Sequence, residues 1–259
     1  MTPASVFIGS YKFTLNPFSG CGSGREYCYA RFFALSARPR DEWGQWISAK
    51  QNARRLVAKA CRTGAIETGD AVYMSSVTDP YQPIERRLRL TRSILETFLE
   101  FEVQPRLTIQ TRSSIVTRDI DLLRQFETLR VNFTIETDSE AVRTRYSPHT
   151  PAIAARFRAA TEVAGAGIRI GCSISPMLPI GDIEAFGDRL ARLDADEYVT
   201  QYLHHGTTRF AAGTSIEAMS RVRAGCWGIA EYQRARELLA SRLGAGHTLL
   251  EGAEGYAPV

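Results

Sequence analysis

The chain has 259 residues, of which 44% are hydrophobic and 23% charged, the balance of an ordinary globular protein. That excludes a disordered tail, a collagen-like rod and a disulfide-dense miniprotein, since a chain of this length buries enough apolar surface to fold without disulfides. The net charge of +4 comes from 32 basic and 28 acidic residues, too even for a dedicated nucleic-acid binder, so nucleic acid is an admissible but not a favoured partner. Only Lys12, Lys50 and Lys59 are lysines, so the positive charge is almost entirely arginine. The first residues lack the basic segment and apolar run of a secretory signal. No apolar stretch approaches the roughly 20 residues that span a bilayer. A soluble, cytoplasmic protein with no membrane partner is expected. Its five cysteines are then more readily structural, catalytic or metal-bound than bridged.

Short β-rich runs alternate with helical patterns along the chain. The expected strands are Lys12 to Leu15, Ala71 to Ser75, Arg106 to Gln110, Val131 to Ile135, Ile168 to Ile174 and Tyr198 to Leu203. Most read as buried strands, apolar and β-branched. Helical patterns are expected at Trp46 to Thr63, Ile84 to Glu100, Asp119 to Thr128, Pro151 to Ala164 and Ile183 to Leu193. The fourth has proline in its first turn and Gly165 near its end. Strand–helix repetition implies a parallel sheet with right-handed crossovers. Six strands with five helices between them predict an α/β fold, a partial (β/α)6 TIM-type barrel, with an open doubly wound sheet as the alternative. Either places the ligand site at the C-terminal strand ends. One domain is expected over 1–259, with a core of about 10–203, closing helices within 215–243 and a frayed Gly- and Ala-rich tail at 244–259.

The richest stretch for chemistry is Asn16-Pro17-Phe18-Ser19-Gly20-Cys21-Gly22-Ser23-Gly24-Arg25-Glu26-Tyr27-Cys28-Tyr29-Ala30-Arg31. It directly follows the first strand, where a β/α fold places a ligand loop. Gly20, Gly22 and Gly24 let the backbone curl closely around a neighbour. Cys21 and Cys28 can point at one metal or cluster; the alternative is a flexible loop with two incidental thiols.

This stretch resembles the radical S-adenosylmethionine proteins, in the branch similar to spore photoproduct lyase. That branch carries Asn-Pro-x-x-Gly-Cys, three residues, Cys, two residues, then Cys-Tyr-Ala-Arg. Further matches are Thr78-Asp79-Pro80-Tyr81-Gln82-Pro83-Ile84-Glu85, Thr91-Arg92, Thr111-Arg112-Ser113, Arg118-Asp119-Ile120 and Ser175-Pro176-Met177-Leu178-Pro179, so the resemblance spans about residues 10 to 190. It implies a [4Fe–4S] cluster with Cys21 and Cys28 as ligands, and S-adenosyl-L-methionine on the open iron. It also implies cleavage of that cosubstrate to a 5′-deoxyadenosyl radical acting on an unknown substrate. An electron donor such as flavodoxin or ferredoxin would then be a partner.

By the same resemblance, Ser76, Thr78 and Asp79 would meet the cosubstrate's amino group. Arg112 would pair with its carboxylate and Thr134 with its ribose. Gly171, in Gly167-Ile168-Arg169-Ile170-Gly171, would approach adenine. Strand-end capping or a surface ion pair is the competing role for these polar residues. Tyr27 and Tyr29 flank the last cluster cysteine and are the candidate catalytic residues, as cofactor packing or a radical relay; plain packing is the alternative.

Two departures from the pattern matter. Arg25 stands where the branch has its middle cysteine, and a guanidinium has no lone pair for a metal, whereas iron–sulfur clusters are held by thiolates. Candidate replacement ligands are Cys61, Cys172, Cys226, His204 or His205 and, less suitably, Glu26. The second strand segment, Val72 to Val77, lacks the cysteine that spore photoproduct lyase uses as hydrogen donor, so thymine photoproduct repair is not expected. Three readings stay open: a radical enzyme with a hidden third ligand, a cluster-free member that binds a nucleoside or anion or does non-radical chemistry, and a parent cysteine protein in which Arg25 was introduced.

Overall fold

The computed structural model describes residues 1–4, 8–32, 42–203 and 214–259. In chain order its elements begin with β1 (Thr2–Pro3), β2 (Phe13–Leu15), β3 (Phe18–Gly20), β4 (Ile47–Ala49), α1 (Ala53–Arg62) and β5 (Ala71–Met74). Next come α2 (Glu85–Leu88), α3 (Leu90–Glu100), β6 (Arg106–Thr111), α4 (Ile120–Leu123), β7 (Leu129–Thr134), α5 (Glu140–Tyr146) and α6 (Ile153–Gly165). The last are β8 (Arg169–Ile174), α7 (Ile183–Ala191), β9 (Glu197–Thr200), α8 (Ile216–Ala224), α9 (Ile229–Leu243) and β10 (Leu249–Glu251).

The main sheet runs β1-β2-β5-β6-β7-β8-β9-β10. Only the β1–β2 pair in it is antiparallel; each later pair is parallel. All six expected strands are present and neighbour one another in chain order, as a partial TIM-type barrel requires. β3 and β4 form a separate antiparallel pair beside the mouth.

Strand periodicity separates two environments. Leu107, Ile109, Val131, Phe133, Ile170, Cys172 and Ile174 join the main apolar cluster with Ile94, Leu95 and Phe98 of α3, Phe157 and Val163 of α6, and Leu239 of α9. Each such buried side chain contributes about 1.5–3 kcal/mol. The alternate positions are Thr108 and Gln110, then Arg130, Asn132 and Thr134, then Gly171 and Ser173. These point to the other face, the barrel interior. There Arg130 Nη2 reaches Glu197 on β9 at 3.1 Å and its Nε donates to Asn132 at 2.9 Å. Gly171 lies beneath this crossing on the strand between: a Cβ there would stand 2.2 Å from Asn132 Oδ1.

Four expectations change. The pattern from Trp46 becomes helical only at Ala53, because Ile47–Ala49 pairs with Phe18–Gly20. The pattern from Ile84 breaks at Arg89, which takes φ 50, and the buried Glu85 carboxylate accepts Leu90 and Thr91 N–H at 2.9 and 3.1 Å, starting α3 anew. Of the pattern from Asp119 to Thr128 only Ile120–Leu123 is α-helical, after a 3-10 turn at Ser114–Asp119. The segment 244–259 is not frayed. β10 extends the sheet beside β9, and Ala257 O accepts from Arg130 at 2.8 Å and Tyr11 at 3.0 Å. Its composition reads as loose because backbone carbonyls make these ties.

Candidate functional site

The loop after β2 folds back on its own neighbours. Gly20 takes φ +75, and a Cβ there would stand 2.5 Å from the Trp46 ring. Gly24 takes φ +55 and lies against the Cα of Gly44. The glycines therefore let the chain pass tightly over the β4 segment. A second clamp comes from the loop after β5: Thr78 Oγ1 and Gln82 Nε2 donate to Gly20 O at 2.9 and 3.3 Å, and Gln82 Oε1 accepts from Gly22 N at 2.8 Å. Cys21, between these points, is fully buried.

Arg25 lies where this loop meets the barrel mouth and is only 5% exposed. Its Nη2 is 3.4 Å from Cys28 Sγ, and its Nε–H has no acceptor. Burial disfavours the Arg25 cation, but Cys28, Cys21, Tyr27 and the Glu136 carboxylate together more than offset this and hold its pKa above the ordinary arginine value. Burial pushes the Cys21 thiol up, against the pull of Arg25.

Across the mouth, Glu136 is the shared acceptor. Its Oε1 receives Arg112 Nε at 2.6 Å and Tyr27 OH at 2.9 Å, and its Oε2 receives Arg156 Nη1 at 2.5 Å. Burial opposes the carboxylate, yet Arg112 and Arg156 together hold its pKa far below the usual range. Tyr27 OH also meets Ser147 Oγ at 2.7 Å, and burial raises its pKa.

Beneath this charged rim opens a cavity lined by polar and aromatic side chains. Its deeper wall is neutral and polar. Tyr73 OH donates to Gln110 Oε1 at 2.9 Å, and Gln110 Nε2 donates to Thr134 Oγ1 at 2.6 Å. Ser173 Oγ and Tyr256 OH lie 2.7 Å apart. Ser75 takes φ 77, is buried, and its Oγ has no partner.

Of the sequence-derived candidates, Tyr27, Cys28, Tyr29, Ser76, Thr78, Arg112 and Thr134 line this cavity. Tyr29 OH donates to Ser76 O at 2.6 Å. Cys21, Asp79 and Gly171 lie outside the lining. The Asp79 carboxylate accepts from Tyr81 N, Thr111 Oγ1 and Arg112 N at 2.9, 2.8 and 2.9 Å, tying the loop after β5 to the end of β6.

The motif residues Glu85, Arg92, Arg118 and Asp119 form a separate ion-pair network, with Arg118 bridging Glu85 at 2.9 Å and Asp119 at 2.8 Å. Gln110, Ser173, Gln201, Tyr256 and Glu136 were not singled out from the sequence. The first two follow the alternation of polar residues along β6 and β8. Tyr256 and Glu136 lie outside the strands and carry no local sign of their role.

Two thiols do not make a three-thiolate mount, and the Arg25 guanidinium lies against Cys28 where both line the cavity. Cys172 is buried in the apolar cluster with its pKa raised by burial to about 12. Cys61 is half-buried on α1 and Cys226 is exposed. Glu26 pairs with Arg221 of α8. His204 and His205 lie outside the described residues. Among the described residues no three His, Cys, Asp or Glu side chains are grouped to hold a metal ion. The donor set among the described residues does not fit a [4Fe–4S] cluster.

The fold is a partial TIM-type barrel like that of several solved structures. A structure of a spore photoproduct lyase mutant aligns at TM-score 0.59 and 17% identity, covering 93% of this chain and 76% of that one. A second, with bound AdoMet and dinucleoside spore photoproduct, aligns at TM-score 0.59 and 19% identity over the same shares. SuiB of Streptococcus suis bound to S-adenosylmethionine aligns at TM-score 0.58 and 12% identity, covering 92% of this chain and 49% of that one.

In sequence, the chain is 33% identical over 172 residues to an uncharacterized protein of Methanocaldococcus jannaschii, an alignment covering 66% of this chain and 62% of that protein. It is 28% identical over 189 residues to an uncharacterized protein of Acidianus two-tailed virus, covering 70% and 60%. The alignments thus span less than two thirds of either relative. No protein-family profile matches the chain. No helix among the described residues is long and apolar enough to cross a membrane.

Proposed function

We propose that the barrel mouth binds an adenosine-type nucleoside and that the chain works without a [4Fe–4S] cluster held by three thiolates, as a ligand-binding or non-radical protein of its fold class. The carrying observation is Arg25, buried against Cys28 Sγ at the mouth of a polar cavity. The neutral wall supplies what a nucleoside needs: Gln110 and Thr134 offer hydrogen-bonding groups to ribose hydroxyls, and the Tyr73 and Tyr256 rings offer apolar surface to a base. The AdoMet-bound neighbour supports adenosine as the nucleoside. Calorimetric titration with adenosine tests this. Saturable binding is expected, weakened about tenfold by Thr134→Val, the loss of one hydrogen bond to ligand. No saturable adenosine binding would overturn the reading.

A second reading keeps the radical enzyme, and the retention of both Cys21 and Cys28 beside Arg25 favours it. It requires a third ligand from outside the described residues, His204 or His205 among them, and an electron donor such as flavodoxin or ferredoxin. Iron analysis separates the two readings.

A further inference from the structure

The cations at the mouth outnumber the carboxylates free to meet them. Both Glu136 oxygens are engaged elsewhere, one by Arg112 and Tyr27 and the other by Arg156. Both Asp79 oxygens are taken by Tyr81 N, Thr111 and Arg112 N. Arg25 therefore has no carboxylate partner among the described residues. It is 95% buried, its Nε–H is unsatisfied, and its guanidinium hydrogen-bonds only to the Cys28 sulfur, at 3.4 Å, among the described residues. A buried guanidinium without a partner is costly, and an oxyanion is the ligand its planar fork fits best. A second unsatisfied donor lines the same cavity: Ser75, 3% exposed, with its Oγ unpartnered.

Resting on the nucleoside reading above, we propose that Arg25 forms an anion subsite and that the ligand is a nucleoside phosphate, its phosphate paired with the Arg25 guanidinium. A charge-assisted, forked contact of this kind is among the stronger polar interactions available. The same geometry disfavours a sulfonium nucleoside, whose sulfonium and ammonium cations outnumber its one carboxylate and would meet the guanidinium with no anionic cluster between them. The site would thus have exchanged a cationic cosubstrate for an anionic one through a single side chain.

The test is calorimetric titration of the full chain with adenosine, adenosine 5′-monophosphate and S-adenosylmethionine. The monophosphate should bind about tenfold or more tighter than adenosine, and both should bind tighter than S-adenosylmethionine. The monophosphate's advantage should grow from about pH 5.5 to 7.5 as the phosphate takes its second charge near 6. In Arg25→Gln the monophosphate-to-adenosine ratio should fall to about one. Equal binding of adenosine and its monophosphate by the unaltered chain would overturn the anion subsite and leave the nucleoside pocket standing. A ratio that survives Arg25→Gln would move the phosphate to another cation and overturn the assignment to Arg25. Tighter binding of S-adenosylmethionine than of the monophosphate would overturn the exchange of cation for anion. No binding of any of the three would remove the nucleoside reading itself, and the inference with it.

Discussion

The two walls of the barrel mouth are built on different terms. The deep wall, from β5 to β9, is built mainly of neutral pairs, in which Tyr73, Gln110 and Thr134 form one chain and Ser173 and Tyr256 another. The outer wall carries Arg25, Arg112 and Arg156 around one Glu136 carboxylate that serves only two of them. Hydrogen bonds satisfied within the protein stand without a ligand, whereas a surplus of buried charge invites one. The comparison teaches that the neutral wall is paired mainly within the protein, while the surplus charge of the mouth is concentrated at Arg25.

Removing Glu136 should break the outer wall most severely. Glu136→Ala strands two buried guanidinium groups and is expected to cost about 3–5 kcal/mol of stability, read by denaturant unfolding. A cost under about 1 kcal/mol would show that Glu136 is not the keystone of the charged wall. The pH dependence has a definite sign. Because the folded-state pKa of Glu136 is depressed, its stabilisation is present above the ordinary glutamate value of about 4.3 and is lost as pH falls below it towards the folded value. Glu136→Gln should flatten the acid limb of the stability profile in that window, and an unchanged limb would contradict the assignment.

Much of this architecture was legible in the sequence, and the failures have physical causes. All six core strands could be read because apolar, β-branched runs bury against the outer helices. Reading those runs simply as buried strands concealed the polar alternation of Thr108, Gln110, Arg130, Asn132, Thr134 and Ser173, which marks the interior of the barrel. Glu136 follows its strand by two residues, and its partners come from β6's end and from α6, so no local pattern shows it. Tyr256 sits in a segment whose glycines and alanines imitate a loose end. Arg25 was visible as a departure from the motif, but its lack of a carboxylate partner emerges only when every neighbouring oxygen is accounted for.

Smaller effects should mark the neutral wall. Thr134→Val leaves Gln110 Nε2 without its acceptor and should cost about 1–3 kcal/mol; a neutral result would mean that Gln110 finds another partner. Tyr256→Phe removes the hydroxyl's hydrogen bonding to Ser173 and Ser175 and should cost about 0.5–1.5 kcal/mol per bond lost, while confirming through unchanged cooperativity that the segment 252–259 remains packed. A broadened transition would show instead that the hydroxyl anchors the whole segment.

The measurement that addresses the central claim most directly is anaerobic iron–sulfur reconstitution, with iron and sulfide analysis and an EPR spectrum taken with and without S-adenosylmethionine. The unaltered chain is expected to retain iron well below the roughly four atoms per chain of a [4Fe–4S] cluster, and Arg25→Cys to raise it towards that value. About four irons on the unaltered chain, with a spectrum perturbed by S-adenosylmethionine, would contradict the account and establish a third ligand at a live cluster.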